Sequence, residues 1–184
     1  MADSVLTEYG LHDVTANTDL RVCGNRTLSP SGCLIHTTSG ANSLQWLQGG
    51  SAVAGSPASS DALIERQGTQ YLITPPGHFA YHAGQSLWWF DRYYSGDEVS
   101  QVLLGVELEN LDTQSPTFEQ YDSLAQLIVS WGAQHAWRWP YIILGHYAVA
   151  RPLGRRSDPL NFDWGWLMGR LYVRALAAQV PGLV

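Results

Sequence analysis

Lysine is absent from this 184-residue chain, and all ten of its basic residues are arginines. Set against sixteen acidic residues, they leave a formal net charge of -6. No basic stripe is available to neutralise a phosphate backbone, so no nucleic-acid partner is expected. Cysteine is nearly absent too. Cys23 and Cys33 cannot make a disulfide framework; a single bridge between them is the alternative, and two free, mostly buried thiols are the reading expected. No apolar run approaches the roughly 20 residues that a membrane helix needs, so no membrane partner is expected either. The opening, MADSVLTEYG, carries an acid and no basic n-region, and no apolar stretch follows it, unlike a standard secretory signal. Repeats and linkers are lacking as well.

What is present describes an ordinary compact protein. A hydrophobic content of 45% with 14% charged residues excludes a disordered or fibrous chain, and the length suits one domain with a sizeable core. Residues 1–28 are mixed and polar without a sustained period, which suggests an N-terminal arm packed on a main domain at 29–184. Cys33, Leu34 and Ile35 form a short buried strand with His36 at its end. Leu44 and Leu47 have the spacing of a short helix, and the small residues from Gly49 to Ser60 read as a surface loop. ALIERQGTQYLITP reads as a hairpin about Gln67-Gly68. In QVLLGVELEN, strand alternation points Val106 and Leu108 one way, Glu107 and Glu109 the other. Helices are expected from Thr117 to about Ala136 and from Trp164 to Val180. Strands and helices thus mix along the chain, and the fold class expected is α/β, as a single domain.

The stretch from Ile143 to Leu167 concentrates the chemistry. An apolar run ends at Gly145-His146, and Arg155, Arg156 and Asp158 follow before the aromatic cluster Phe162, Trp164 and Trp166. His36 and His146 share one context, an imidazole closing an apolar strand. Two imidazoles and a loop carboxylate would make a three-ligand zinc site with one position open for water. Spacing alone leaves the structural reading of these histidines open, because no short signature such as HExxH occurs.

GCLIHTTSG, YHAGQS, LLGVELEN and ILGHYAVARPLGRRSDPLNFDW, in that order, resemble the zinc-dependent N-acetylmuramoyl-L-alanine amidases of the type 2 family. That family also includes the T7-type phage lysozymes and the peptidoglycan recognition proteins. The resemblance runs from about Ser31 to Trp164. It implies a central mixed β-sheet flanked by helices, with a zinc site at one sheet edge. It implies His36, His146 and Asp158 as the Zn2+ ligands, Glu107 as the general base, and Arg156 where lysine is usual. Glu109, on the same strand face, is the alternative base. His82 matches a histidine beside the substrate groove and is read either as a substrate contact or as structural. Trp88 or Trp89 could stack on a sugar, the alternative being packing, and Asn110 is taken with His82 and Trp88 as substrate-binding.

The chain departs from the family at two positions. Ser60 stands where some members carry a catalytic tyrosine, and Asp61 where a histidine is common. At Arg156 the change is chemically informative, because arginine stays protonated and can hold an oxyanion but cannot shuttle a proton. The resemblance implies hydrolysis of the bond between N-acetylmuramic acid and L-alanine, with peptidoglycan or a muropeptide as substrate and the protein a monomer. Two settings are compatible. One is a phage endolysin in the host cytoplasm, released to the cell wall through a holin, and this is the setting expected. The other is a cytoplasmic muropeptide-recycling amidase. A non-catalytic peptidoglycan-binding protein on the same fold is the rival of a different class, and the presence of Asp158 argues against it.

Overall fold

The computed structural model describes residues 11–40, 42–111 and 113–183. Ten short strands are present among them: β1 (Leu11–Asp13), β2 (Cys23–Asn25), β3 (Gly32–Thr37), β4 (Ala62–Ile64), β5 (Gln70–Leu72), β6 (His78–Ala80), β7 (Leu87–Trp89), β8 (Tyr93–Ser95), β9 (Leu103–Leu108) and β10 (Ile142–Gly145). The helices are α1 (Ser43–Gln45), α2 (Ser51–Val53), α3 (Asp97–Val102), α4 (Phe118–Gln134), α5 (His146–Val149) and α6 (Trp164–Ala177). Six strands form one mixed sheet in the order β1-β5-β4-β9-β3-β10, with only β4 and β5 antiparallel. Two antiparallel ribbons, β2–β6 and β7–β8, lie outside it. A single mixed sheet flanked by helices is the architecture expected.

The sheet is buried on both faces, so its central strands are apolar almost throughout. On one face Cys33, Ile35, Leu104, Val106 and Leu108 pack with Leu124, Ile128 and Trp131 of α4 and with Leu167 and Leu171 of α6. On the other, Leu34 and Leu103 pack with Val99 and Val102 of α3, with Ala83 and with Val149 of α5. Side chains alternate along a strand. His36 therefore shares the face of Leu34, and Glu107 the face of Leu103, away from α4 and α6.

Helix α4 starts at a capping box, in which the Thr117 hydroxyl accepts from the Gln120 N–H while the Gln120 side chain accepts from the Thr117 N–H. Asp163 caps α6 by accepting from the Trp166 N–H. The two helices are locked by Asp122, which is 5% exposed on α4 and bound by Arg170 and Arg174 of α6, each at 2.7 Å. Asp122→Ala is expected to destabilise the protein by about 1–3 kcal/mol, since it leaves two guanidiniums facing an apolar seam. Both arginines keep some water contact, which holds the loss below that of a fully buried pair. Urea unfolding should show a lower midpoint at an unchanged slope, and an unchanged midpoint would mean the lock contributes nothing.

Several sequence expectations meet their elements here. The hairpin is β4–β5, and the two long helices fall where their apolar spacing put them. Others shift. Gln101 and Val102 end α3 rather than opening a strand, because Gly96 adopts a positive φ and Asp97 and Glu98 begin a helix. The segment from Gly49 to Ser60 is not simply a surface loop. It begins with the last residues of a π turn (Trp46–Gly50) and α2, and Ser51, Ser59 and Ser60 are buried while Ser56 is exposed. The Ser51 hydroxyl donates to the Ala58 carbonyl, and that of Ser59 donates to Leu47. Small polar side chains thus close this segment on itself, which composition alone does not show. Of the expected arm, residues 1–10 lie outside the described residues. Residues 11–28 supply β1 to the main sheet and β2 to a ribbon. Cys23 and Cys33 are buried and unbridged, and burial pushes both thiols up, Cys23 to about 11. No helix among the described residues is long and apolar enough to cross a membrane.

Candidate metal centre

Strand register assembles the site. His36 on β3 pairs laterally with Glu107 on β9, so the two side chains stand next to each other on one face. The edge strand β10 runs parallel to β3 with Gly145 opposite Ile35, which brings the following residue, His146, alongside His36. Asp158 arrives from the loop before α6, and its carbonyl accepts from the Tyr147 N–H at 3.2 Å. The three ligand atoms then converge: His36 Nδ1 and His146 Nδ1 are 3.0 Å apart, and Asp158 Oδ2 is 3.3 Å from the first and 3.1 Å from the second.

Outer hydrogen bonds assign the tautomers. His146 Nε2 faces the Ala83 carbonyl at 3.2 Å, so it donates and leaves Nδ1 with a lone pair. His82 Nε2 faces the Leu103 carbonyl at 3.0 Å, so His82 Nδ1 accepts, and His36 Nε2 donates to it at 3.1 Å. The His36 Nδ1 lone pair therefore also points inward. Two lone pairs and a carboxylate oxygen facing one another make a candidate cation site. Zinc ligands at about 2.0–2.1 Å and tetrahedral angles lie about 3.3 Å apart, and this group fits that spacing. His36, His146 and Asp158 could together hold a metal ion.

The electrostatics agree. Burial holds His36 neutral, pushing it down to about 4 against the pull of the Asp158 carboxylate. Burial pushes Asp158 up, but its close contacts with His146 and His36 outweigh it and hold the carboxylate well below its usual range. At neutral pH His36 is thus an uncharged imidazole and the Asp158 carboxylate supplies one negative charge. Glu107 behaves oppositely: burial and then the Asp158 charge raise it to about 8, against the pull of Arg156. Its Oε2 is buried without a hydrogen-bond partner. A carboxyl poised near neutrality beside a cation site can act as a general base or acid.

A cavity of about 580 Å³ opens over the group. His36, His82, Glu107, His146, Arg156 and Asp158 all line it. Trp46, which is 48% exposed, stands on its wall, and no sequence signal singled it out. An isolated tryptophan at helical spacing looks like any packing residue, and only the π turn places it here. Arg155 is braced by the carbonyls of Arg151, Ala83 and Gln85. Glu109, Trp88 and Asn110 are not among the residues that line the cavity. Trp88 is stacked on Phe90 and Tyr94 against the α3 side of the core, while buried Asn110 accepts from Arg66. Packing explains the placement of Trp88, because the same apolarity that suits a sugar-stacking ring suits a packed one. Ser60 is fully buried.

A sheet-edge cation group beside a buried glutamate, under a substrate-sized cavity, marks the structure out as a hydrolase-like domain with a candidate metal centre. The family model described as N-acetylmuramoyl-L-alanine amidase matches residues 26–161, and the chain belongs to that family. It is 33% identical over 113 residues to "1,6-anhydro-N-acetylmuramyl-L-alanine amidase AmpD" of Enterobacter cloacae, a match covering 58% of this chain. The chain spans about half, 53%, of that curated relative. Among solved structures, an AmpD selenomethionine derivative superposes with a TM-score of 0.70 at 22% identity, covering 90% of this chain and 96% of the other. The endolysin N-acetylmuramoyl-L-alanine amidase LysCS from Clostridium intestinale URNW gives 0.64 at 16%, covering 88% and 94%. These likenesses show the shared fold.

Proposed function

We propose that this chain hydrolyses the amide bond between N-acetylmuramic acid and L-alanine, with zinc held by His36, His146 and Asp158. The observation that carries this reading is the convergence of three ligand atoms within 3.0–3.3 Å beside Glu107, whose Oε2 is buried without a hydrogen-bond partner. When bound, zinc supplies a Lewis acid and lowers the pKa of water to about 7. Glu107 takes the proton of the attacking water and passes it to the departing amine. Arg156 presents fixed donors to the negative charge that develops on the amide oxygen. The cavity volume lies within the range of about 300–1,000 Å³ usual for small-ligand sites, and Trp46 offers it an apolar wall. Neither Ser60 nor Asp61 can stand in for a catalytic tyrosine, which leaves the proton transfers to Glu107.

The test is mass spectrometry of products from a defined muropeptide, before and after chelation. Free stem peptide should appear, vanish on chelation and return with added zinc. Wall binding without any cleavage would leave the non-catalytic reading in its place. Arg156→Ala should reduce kcat by about 10²–10³, while Arg156→Lys should keep activity within about tenfold, because a point charge still reaches the oxygen. Equal loss in both variants would mean that the planar fork itself is required.

The physiological substrate has two readings. The expectation of an endolysin acting on intact peptidoglycan is supported by likeness of fold to LysCS. Cleavage of soluble 1,6-anhydromuropeptides in recycling is supported by the 33% identity to AmpD, whose name specifies that substrate, and we favour it on this sequence-level likeness. Intact sacculi resisting the enzyme while soluble anhydromuropeptides are cut quickly would bear it out, and rapid sacculus lysis would restore the endolysin reading.

A further inference from the structure

We propose that His82 is the positioning residue of the metal centre: seated on the backbone of Gly105, it fixes His36 in the Nε2–H tautomer, with the Nδ1 lone pair facing the cation. The inference rests on reading His36, His146 and Asp158 as the metal group. It gives His82 a task that substrate contact would prevent, since both of its ring nitrogens are already engaged, one by His36 and one by Leu103.

The seat is built into the sheet. Gly105 on β9 pairs with Leu34 of β3, on the face that carries His36 and Glu107. A Cβ at Gly105 would meet His82 Cγ at 2.7 Å and Cδ2 at 2.8 Å, so any side chain there would eject the imidazole. With glycine the ring lies against the strand, edge-on to His36 at a centroid separation of 5.2 Å. Behind it stands Asp61, whose Oδ2 accepts from the Gly105 N–H at 2.8 Å and lies 3.8 Å from His82 Nε2. The other carboxylate oxygen of Asp61 is bound by Arg26 at 3.1 Å. The same aspartate thus pins the strand segment that seats His82 and places negative charge near the Nε2 proton. Both effects hold that proton on Nε2 and keep Nδ1 as an acceptor. Outer-shell partners of this kind fix the ring orientation and raise the basicity of metal-ligating histidines. Asp61, where histidine is common in the family, acquires a purpose in this chain.

The test reads tautomer and metal affinity rather than turnover. In the metal-free protein, long-range proton–nitrogen correlation should show His36 protonated on Nε2. His82→Phe keeps a ring of similar size but offers no acceptor, and should weaken zinc binding about 10–100-fold in chelator competition while scrambling the His36 tautomer. His82→Gln can accept from His36 through its amide oxygen and donate to Leu103 through its amide nitrogen, and should recover most of that affinity. A His36 protonated on Nδ1 in the wild-type protein would overturn the proposal. So would a phenylalanine variant that binds zinc like wild type, or a glutamine variant no better than it. Should the phenylalanine variant fail to fold, the wild-type tautomer and the glutamine variant still decide. If the wild-type protein takes up no zinc, the metal reading fails, and the tautomer measurement alone rules on His82.

Discussion

Asp158→Ala is expected to leave a folded protein that retains no zinc and cleaves no muropeptide. The aspartate sits in a loop at the cavity and contributes to no apolar cluster, so its loss removes chemistry rather than core. What it removes is the one negative charge of the group. Two neutral imidazoles then remain to hold a divalent cation, one ligand short of the three that catalytic zinc sites ordinarily use. His36→Ala and His146→Ala should give the same loss by removing a nitrogen ligand. Metal analysis of the purified variants checks this directly, alongside thermal melting of the metal-free forms. Stoichiometric zinc in the Asp158 variant would mean that another group completes the site. Turnover without zinc would end the metallohydrolase reading. Retained binding to cell walls by the inactive variant would show that recognition and catalysis are separable on this fold.

Glu107→Gln is expected to keep zinc and lose turnover, by about 10²–10⁴ in kcat, because the amide neither takes nor gives up the proton that the reaction must move. Unchanged turnover would move the base to another residue. The same variant carries a pH signature in the metal-free protein. Burial raises Glu107 to about 8, so between the ordinary carboxylate range and pH 8 the folded chain keeps a proton that the unfolded chain has released. Stability from this group is therefore fully present below the ordinary carboxylate pKa, declines as pH rises, and levels off above about 8. Glutamine carries no titrating proton and should flatten that decline, by on the order of 1–4 kcal/mol between about pH 5 and 9. Asp61, raised to about 6, and His36, lowered to about 4, titrate in both proteins, so the difference between the two stability curves isolates Glu107. Parallel curves would mean that Glu107 is solvated and ordinary.

Much of this was legible in the chain itself. Apolar runs ending in His36 and in Gly145-His146 announced two strands closing on imidazoles, since a buried strand must be apolar until it leaves the core. Period-two alternation in GVELEN separated Glu107 from Val106 and Leu108, and helical spacing located α4 and α6. Four separated motifs pointed to the amidase family and to the residues its chemistry needs. Local pattern decides these features, because each depends on neighbours a few positions away. The tertiary structure alone decided the rest. It set Glu107 beside His36 on the cavity through the register of β9 against β3, which carries no local signal, and left Glu109 off the cavity lining. It moved Trp88 and Asn110 away from the cavity and placed Trp46 on its wall. It showed that His82 is bound on both nitrogens, by a histidine 46 positions earlier in the chain and a leucine carbonyl 21 positions later. Such contacts depend on which strands lie side by side, and long-range pairing is set by the packing of the whole domain rather than by any one segment.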